Sequence, residues 1–282
     1  MTQQVYEIVT DQIVKLLEAG TVPWRKPWTL ANRPRNIDSN KPYRGINVMI
    51  LASQGFSSPY WMTFNQAKKH GGTIKKGEHG TIVIFWKLLE SNDPKDVDEK
   101  GKRKQFAMLR YYKVFNLDQT ENVKVPNRPV DQVREDVDPI EAAELIVQGY
   151  PNPPKILENG YDAHYEPEAD KISIPSKKSF HTAEARYAAL FHEMGHSTGH
   201  TSRLDRPIQN IFGSHPYGRE ELIAEMTAAF LCGESGIAPA VIDNSAAYLA
   251  SWIKTIKEDL EAVIKAASAA QKAADLILDH QE

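Results

Sequence analysis

The stretch FHEMGHSTGH, residues 191–200, carries two histidines four positions apart, His192 and His196, with Glu193 directly after the first. Side chains four apart lie on one face of an α-helix, so both imidazoles can reach one cation. The segment 182–197 favours a helix, because it has apolar residues at helical spacing and no proline. Glu193 can then reach a water that the cation activates, and we interpret it as a general base. The alternative for so short a pattern is a pair of histidines that are hydrogen-bonded within a helix.

A catalytic zinc needs a third protein ligand and leaves its fourth position to water. Residues 219–232, REELIAEMTAAFLC, predict a second helix that carries Glu221 and Glu225 on one face, with Glu220 about a quarter-turn away. The pair resembles the arrangement in glutamate zincins, where one acid binds the metal and the next orients a ligand histidine. We interpret Glu221 as the ligand and Glu225 as the orienting residue. The reverse assignment and a simple surface pair remain alternatives.

Two further segments are predicted to lie near this site. Residues 201–218 connect the two ligand helices, and they contain His215 and Tyr217, which are candidates to stabilise an oxyanion. Residues 171–174 are a candidate edge strand for an extended peptide substrate. The ligand set predicts one divalent metal ion, with zinc preferred and manganese as the alternative.

Composition limits the class of protein. Cys232 is the single cysteine and lies in an apolar stretch, so a buried thiol in a reducing cytoplasm is expected. The amino-terminal 20 residues are amphipathic but interrupted by charges, which argues against a signal peptide or a membrane span. We therefore expect a cytoplasmic protein with no membrane partner.

The net charge of −3 conceals an asymmetry. Residues 1–125 contain 20 Lys and Arg against 12 Asp and Glu, a net charge of +8, whereas residues 126–282 have a net charge of −11. A basic half predicts a polyanionic partner for that half only. The segment 23–28, PWRKPW, interleaves indoles with cations, as a single-stranded nucleic-acid groove requires. The candidate DNA-binding residues are Trp24, Arg25, Lys26, Trp28, Arg33, Arg35, Lys41, Arg44, Lys75 and Lys76.

The alternative for each tryptophan of the segment 23–28 is that it packs in the core as the anchor of a proline-rich loop.

The fold class predicted from the whole chain is α+β. Strand patterns at 81–86 and 105–117 flank a polar run and predict an antiparallel hairpin in a small α+β domain, residues 1–125. A proline-rich and acidic linker, 126–138, leads to a mostly helical domain with a small sheet, residues 139–282.

Several longer motifs carry a family resemblance. They are VPWRKPW (22–28), NKPYRGINVMIL (40–51), GGTIKKGEHGTIVIFW (71–86), HEMGHSTGH (192–200), RLDR (203–206), FGSHPYGREELIAEM (212–226) and AAYLASW (246–252). With these motifs the chain resembles the ArdC-type antirestriction proteins of conjugative plasmids over nearly its full length. Its first half is also similar to the amino-terminal region of TraC-type primases.

This resemblance implies an amino-terminal domain that binds single-stranded DNA and a carboxy-terminal domain like a zincin metallopeptidase. It also implies that the protein shields incoming plasmid DNA from host restriction, in the recipient or host bacterium, with a host protein of the restriction pathway as a candidate substrate. A second hypothesis is a DNA-coating protein whose metal site is structural or vestigial. A primase accessory role ranks last, because the first half lacks the carboxylate clusters that nucleotidyl transfer needs.

Overall fold

The structure is a computed structural model of the 282-residue chain. It describes every residue except 1, 26–32, 92, 94–95, 98–102, 104, 127–137, 160, 208–214, 238–245 and 281–282. The helices of the described part are α1 (Thr2–Glu18), α2 (Ile46–Ala52), α3 (Phe64–Lys69), α4 (Pro139–Gly149), α5 (Ala183–Ser197), α6 (His215–Ser235), α7 (Ala246–Glu258) and α8 (Ala262–Ile277). The strands are β1 (Arg35–Asn36), β2 (Tyr60–Met62), β3 (Thr73–Ile74), β4 (Thr81–Glu90), β5 (Gln105–Asn116), β6 (Thr120–Glu121), β7 (Lys155–Leu157), β8 (His164–Glu166) and β9 (Lys171–Ser173).

The first half is built on the long β4–β5 hairpin, which the alternation of β-branched and aromatic residues predicts correctly. Its register pairs Thr81 with Val114 and Glu90 with Gln105. The sheet continues through β2 to the two-residue β1, in the order β1-β2-β5-β4. All its pairs are antiparallel except β1 with β2, which is parallel. The expected α+β class with a small sheet is therefore confirmed.

An asparagine of helix α2 forms hydrogen bonds with the edge strand β4. The side chain of Asn47 donates to the carbonyl of Ile84 and accepts from its amide, both at 2.8 Å. The residue at the N-cap of α2 is Gly45, which has no side chain to accept a hydrogen bond. Asn47 satisfies two backbone groups that an edge strand leaves open, which fixes the helix on the sheet.

In the second half, a small three-stranded sheet lies beside a helical bundle. Its order is β7-β9-β8, with β9 parallel to β7 and antiparallel to β8. The expectation that residues 171–174 form a free edge strand is wrong, because β9 occupies the centre and its backbone groups are paired on both sides. The outer strands of this sheet are β7 and β8.

The two halves share one hydrophobic core, which joins residues of α1, α2, β4 and β5 to residues of α5, α6, α7 and α8. Trp24 is at this junction. Its side chain is fully buried and meets the ring of Trp252 edge to face, with the centroids 5.4 Å apart. Trp24 therefore packs as a core anchor, and its predicted role in stacking on a DNA base is wrong.

We expect Trp24→Ala to lower the free energy of unfolding by about 3–5 kcal/mol, because it removes a large side chain from a packed interior. Urea denaturation of the full chain measures this loss. Trp86→Ala is the matched control, because Trp86 is 52% exposed and its removal should cost much less. Equal effects of the two substitutions would contradict the assignment of Trp24 to the core.

Candidate metal centre

Two helices of the second half, α5 and α6, pack closely enough to face each other across one site. Gly195 allows this approach, because a Cβ atom there would lie 3.0 Å from the Cα of Ala224 and 3.2 Å from the Cβ of Thr227. Helix α5 begins after Thr182, whose hydroxyl accepts a hydrogen bond from the amide of Ala185. Both helices agree with the predicted periodicity, although α6 begins at His215 rather than at Arg219.

Three donor side chains converge between these helices. The Nε2 atoms of His192 and His196 are 3.1 Å apart, and Glu221 lies 3.6 Å from the first and 3.4 Å from the second. A tetrahedral ion with bonds of about 2.0–2.2 Å separates its ligand atoms by about 3.3–3.6 Å. The set is near that spacing, with one oxygen of Glu221 facing each imidazole, and two nitrogens and a carboxylate are donors that zinc accepts. These residues therefore fit a mononuclear divalent metal.

Glu193 lies on the same helix and is 7% exposed. Within the part of the chain that the structure describes, its carboxylate makes no hydrogen bond or ion pair. A carboxylate without a protein partner beside the three donors is free to accept a proton, as the sequence interpretation requires.

Each ligand histidine also faces a carboxylate on its other ring nitrogen. Glu220 lies 3.4 Å from Nδ1 of His196, and Glu225 lies 3.9 Å from Nδ1 of His192. Such outer partners fix the orientation of an imidazole and make it a better ligand. At 3.9 Å Glu225 is too far away to accept a hydrogen bond from Nδ1 of His192, which has no hydrogen-bond partner among the described residues, so its orienting role stays a prediction. The contact of Glu220 with His196 was missed.

Two arginines hold these outer carboxylates. Arg206 donates to Glu220 at 2.7 Å, to the hydroxyl of Thr198 at 2.7 Å and to the carbonyl of Gly195 at 3.1 Å. Arg25, from the first half of the chain, lies 3.5 Å from Glu225. Helical periodicity could not predict either contact, because Arg206 lies in a loop and Arg25 lies in a distant segment of the chain. The sequence indicates Arg206 only as the last residue of the RLDR motif, 203–206.

The carboxylates change the protonation of the histidines. Burial alone would lower the pKa of His196, but hydrogen bonds with Glu220 and Glu221 outweigh it and raise the pKa to about 10. The pKa of His192 is raised in the same way, against burial, mainly by Glu221. Burial raises and the two histidines lower the pKa of Glu221, which ends well below its usual range. Without a metal, the raised pKa therefore keeps the His196 imidazole protonated at neutral pH, facing the carboxylates of Glu220 and Glu221.

We expect metal binding to displace these protons, because an imidazole must be deprotonated to act as a ligand. A raised pKa means that the protonated form persists to higher pH, so metal affinity rises with pH up to the pKa of His196, about 10. The apparent affinity should change by about tenfold per pH unit for each proton released. Calorimetry in buffers of different ionisation enthalpy measures that number, and a value of zero would contradict the protonated site.

Substitution of the outer carboxylate should weaken metal binding without removing it. We expect Glu220→Gln to lower metal affinity by about 10–100-fold, because His196 then lacks its charged partner. Glu234→Gln is the matched control, since Glu234 lies on the same helix and pairs with Arg33 rather than with a ligand histidine. Competition with a chromogenic chelator gives both affinities, and equal values would exclude a role for Glu220.

The candidate DNA-binding residues do not form one surface. Arg25 and Arg33 are largely buried in ion pairs with residues of the second half, and Arg35 is 2% exposed, which contradicts a shared DNA-binding face that includes these three. Arg44 pairs with Asp275, but its side chain remains 52% exposed. Lys41, Lys75 and Lys76 are exposed, although Lys75 also donates to the backbone of Asp118 at 2.7 Å.

The remaining candidates cannot be placed in this way. Lys26 and Trp28 lie outside the described residues. His215 and Tyr217 belong to the first turn of α6, but their side chains also lie outside the described part, so the oxyanion role stays a prediction.

Among the described residues, every helix is too short or too polar to cross a lipid bilayer. Burial raises the pKa of the Cys232 thiol to about 12, as expected for an unreactive core cysteine.

Two family models match the chain. Residues 142–269 match the zincin-like metallopeptidase model, and residues 3–115 match the model of the N-terminal domain of anti-restriction factor ArdC. Together with the paired ligand helices, these matches define the class: a zincin-like domain joined to an ArdC amino-terminal domain.

Individual proteins give the same result over the whole length. The crystal structure of the antirestriction protein ArdC from plasmid R388, in its metal-free form, is 38% identical, with a TM-score of 0.76 over 97% of this chain and 96% of that one. Its Mn(II)-bound form superposes with a TM-score of 0.75. The uncharacterized protein y4eC of Sinorhizobium fredii (strain NBRC 101917 / NGR234) is 34% identical over 96% of this chain and 90% of its own length. The chain belongs to the ArdC antirestriction family.

Part of a larger protein is also similar. A DNA primase TraC of Escherichia coli is 35% identical over 98% of this chain, and a second is 34% identical. The chain spans only 20% of the first and 27% of the second. The similarity therefore concerns one region of the primases.

Proposed function

We propose that this ArdC-family protein binds single-stranded DNA and hydrolyses peptide bonds at a mononuclear metal site, and that it thereby protects incoming plasmid DNA from host restriction. The observation that carries the hydrolytic part is the spacing of the three donors, 3.1–3.6 Å, at the edge length of a tetrahedral ion. Zinc suits this donor set, and the Mn(II)-bound form of the R388 protein supports manganese as an alternative.

In this proposal His192, His196 and Glu221 hold the ion, and Glu220 and Glu225 keep the two imidazoles in position. When bound, a divalent ion polarises a substrate carbonyl and lowers the pKa of a coordinated water to about 7. Glu193 accepts the proton from the attacking water and passes it to the leaving amine. Its buried position and its lack of a described partner support that role.

The DNA-binding part of the proposal rests on the amino-terminal family model and on the net charge of +8 in residues 1–125. Cations that contact phosphates release bound counterions, so affinity should fall steeply with salt. Fluorescence anisotropy with a labelled oligo(dT), at salt concentrations from about 50 to 200 mM, measures that slope. Absence of binding at the lowest salt would reject this part.

The protective part needs a test in cells. Unmodified plasmid DNA is transferred into a restricting host and into a matched non-restricting host, each with or without the protein. The proposal predicts that the protein raises transfer in the restricting host alone. Equal protection by the Glu193→Gln variant would favour the alternative, in which the protein coats the entering strand and its metal site has no hydrolytic role.

A further inference from the structure

A cleft between the two halves of the molecule carries features of a nucleic-acid site. It lies between strand β4 and helix α8, and it consists of two adjoining hollows of about 220 and 450 Å³. Trp86, Ile264, Ser268 and Lys272 line both hollows. The larger one has the size of an ordinary ligand pocket.

The charge of the cleft is one-sided. Its lining includes Arg44, Arg206, Lys265 and Lys272, and none of the described residues that line it is acidic. Arg44, Lys265 and Arg206 have carboxylate partners outside the lining, which are Asp275, Glu261 and Glu220.

Lys272 is different from these residues. It is exposed and makes no ion pair with any residue that the structure describes. The cleft therefore carries an excess of positive charge, although α8 belongs to the acidic half of the chain. This charge is complementary to a phosphate backbone.

An aromatic ring stands beside these cations. Trp86 is 52% exposed, which is unusual for so large an apolar side chain, and it lines both hollows. An indole accessible next to lysines is the combination that single-stranded nucleic acids recognise, because bases stack on the ring while cations contact phosphates. A duplex cannot use it in this way, because its bases are already stacked within the helix.

We propose that single-stranded DNA binds in the cleft between β4 and α8, with a base stacked on Trp86 and a phosphate held by Lys272. This inference rests on the DNA binding proposed above and gives it a location that spans both halves of the chain. It assigns the stacking role to an exposed indole rather than to Trp24, whose indole is buried.

The cleft also leads toward the metal site. Arg206 is part of its wall and donates to Glu220, which faces His196. A strand in the cleft would therefore lie beside the outer partners of the site, and a protein attached to that strand would be brought close to Glu193.

The test measures the affinity of the full-length protein for oligo(dT) by fluorescence anisotropy. We expect Trp86→Ala to weaken binding by about 5- to 150-fold, with partial recovery in Trp86→Phe, because a phenyl ring can still stack. Lys272→Ala should reduce the slope of log affinity against log salt by about 0.7, the value for one phosphate contact. A duplex of the same length should bind more weakly and should be insensitive to Trp86→Ala.

Matched controls lie outside the cleft. Phe64→Ala removes an aromatic ring that is 47% exposed in the first half, and Lys178→Ala removes an exposed lysine of the second half. Both should bind like the wild type. If all variants bind like the wild type, the cleft is not the site, although DNA binding itself stands. If the wild type does not bind, the proposed function fails as well.

A second measurement does not depend on the stability of the variants. Ultraviolet crosslinking of oligo(dT) to the wild-type protein, followed by peptide mapping, should give crosslinks in the peptides that contain Trp86 or residues 264–272. Crosslinks confined to other peptides would overturn the assignment.

Discussion

The variant Glu221→Ala is expected to lose metal binding by far more than the 10–100-fold typical of an outer partner. Glu221 is the single carboxylate among the three converging donors, at 3.4 and 3.6 Å from the two imidazoles. Its removal leaves two nitrogens, which cannot complete the three-ligand set of a catalytic zinc site. Elemental analysis of purified protein and titration with Zn²⁺ and Mn²⁺ measure the loss.

Glu225→Ala is the matched control for this prediction, because Glu225 lies one helical turn further along the same face of α6. Its carboxylate is 3.9 Å from Nδ1 of His192, on the side of the ring that faces away from His196. We expect the smaller loss for this variant. A larger loss for Glu225→Ala than for Glu221→Ala would reverse the assignment that the sequence left open.

The second large effect is expected for Glu193→Gln, which should keep the metal and lower peptide hydrolysis by about 10²–10⁴-fold. The amide has nearly the shape of the carboxylate but cannot accept the proton. Glu193 is also not one of the three converging donors, so metal content should be unchanged. Cleavage of casein in the presence of metal and oligo(dT), compared with the wild type, measures the loss.

Two results would contradict this mechanism. Cleavage by Glu193→Gln at the wild-type rate would exclude Glu193 as the base, and loss of metal in the variant would give it a ligand role instead. Glu184→Gln is a useful control, because Glu184 is an exposed residue in the first turn of the same helix. This control should retain both metal and cleavage.

The architecture of the site was largely predictable because its elements are local in sequence. The spacing of His192 and His196 and the apolar periodicity around them define one helix, and residues 219–232 define the other. The β4–β5 hairpin follows from the same kind of pattern at the period of a strand. Each inference depends on residues within a few turns of one another, where backbone geometry determines which side chains share a face.

The surroundings of the site were not predictable in this way. Helical spacing places Glu220 about 100° around the helix from Glu221, yet Glu220 reaches both His196 and Arg206. Arg25 approaches Glu225 from 200 residues away. The central position of β9 depends on which strands it pairs with, and its own three residues do not indicate those partners.

Helical spacing is a property of the local backbone, so it was enough to predict that two helices present two imidazoles, Glu193 and a pair of glutamates. Packing between distant segments was needed to establish which glutamate meets both rings, that Trp24 is buried rather than available to DNA, and that Trp86 and Lys272 line one cleft. These outcomes depend on how distant segments pack. Burial and charge pairing arise between elements, and an exposed indole and a buried indole look the same in the sequence.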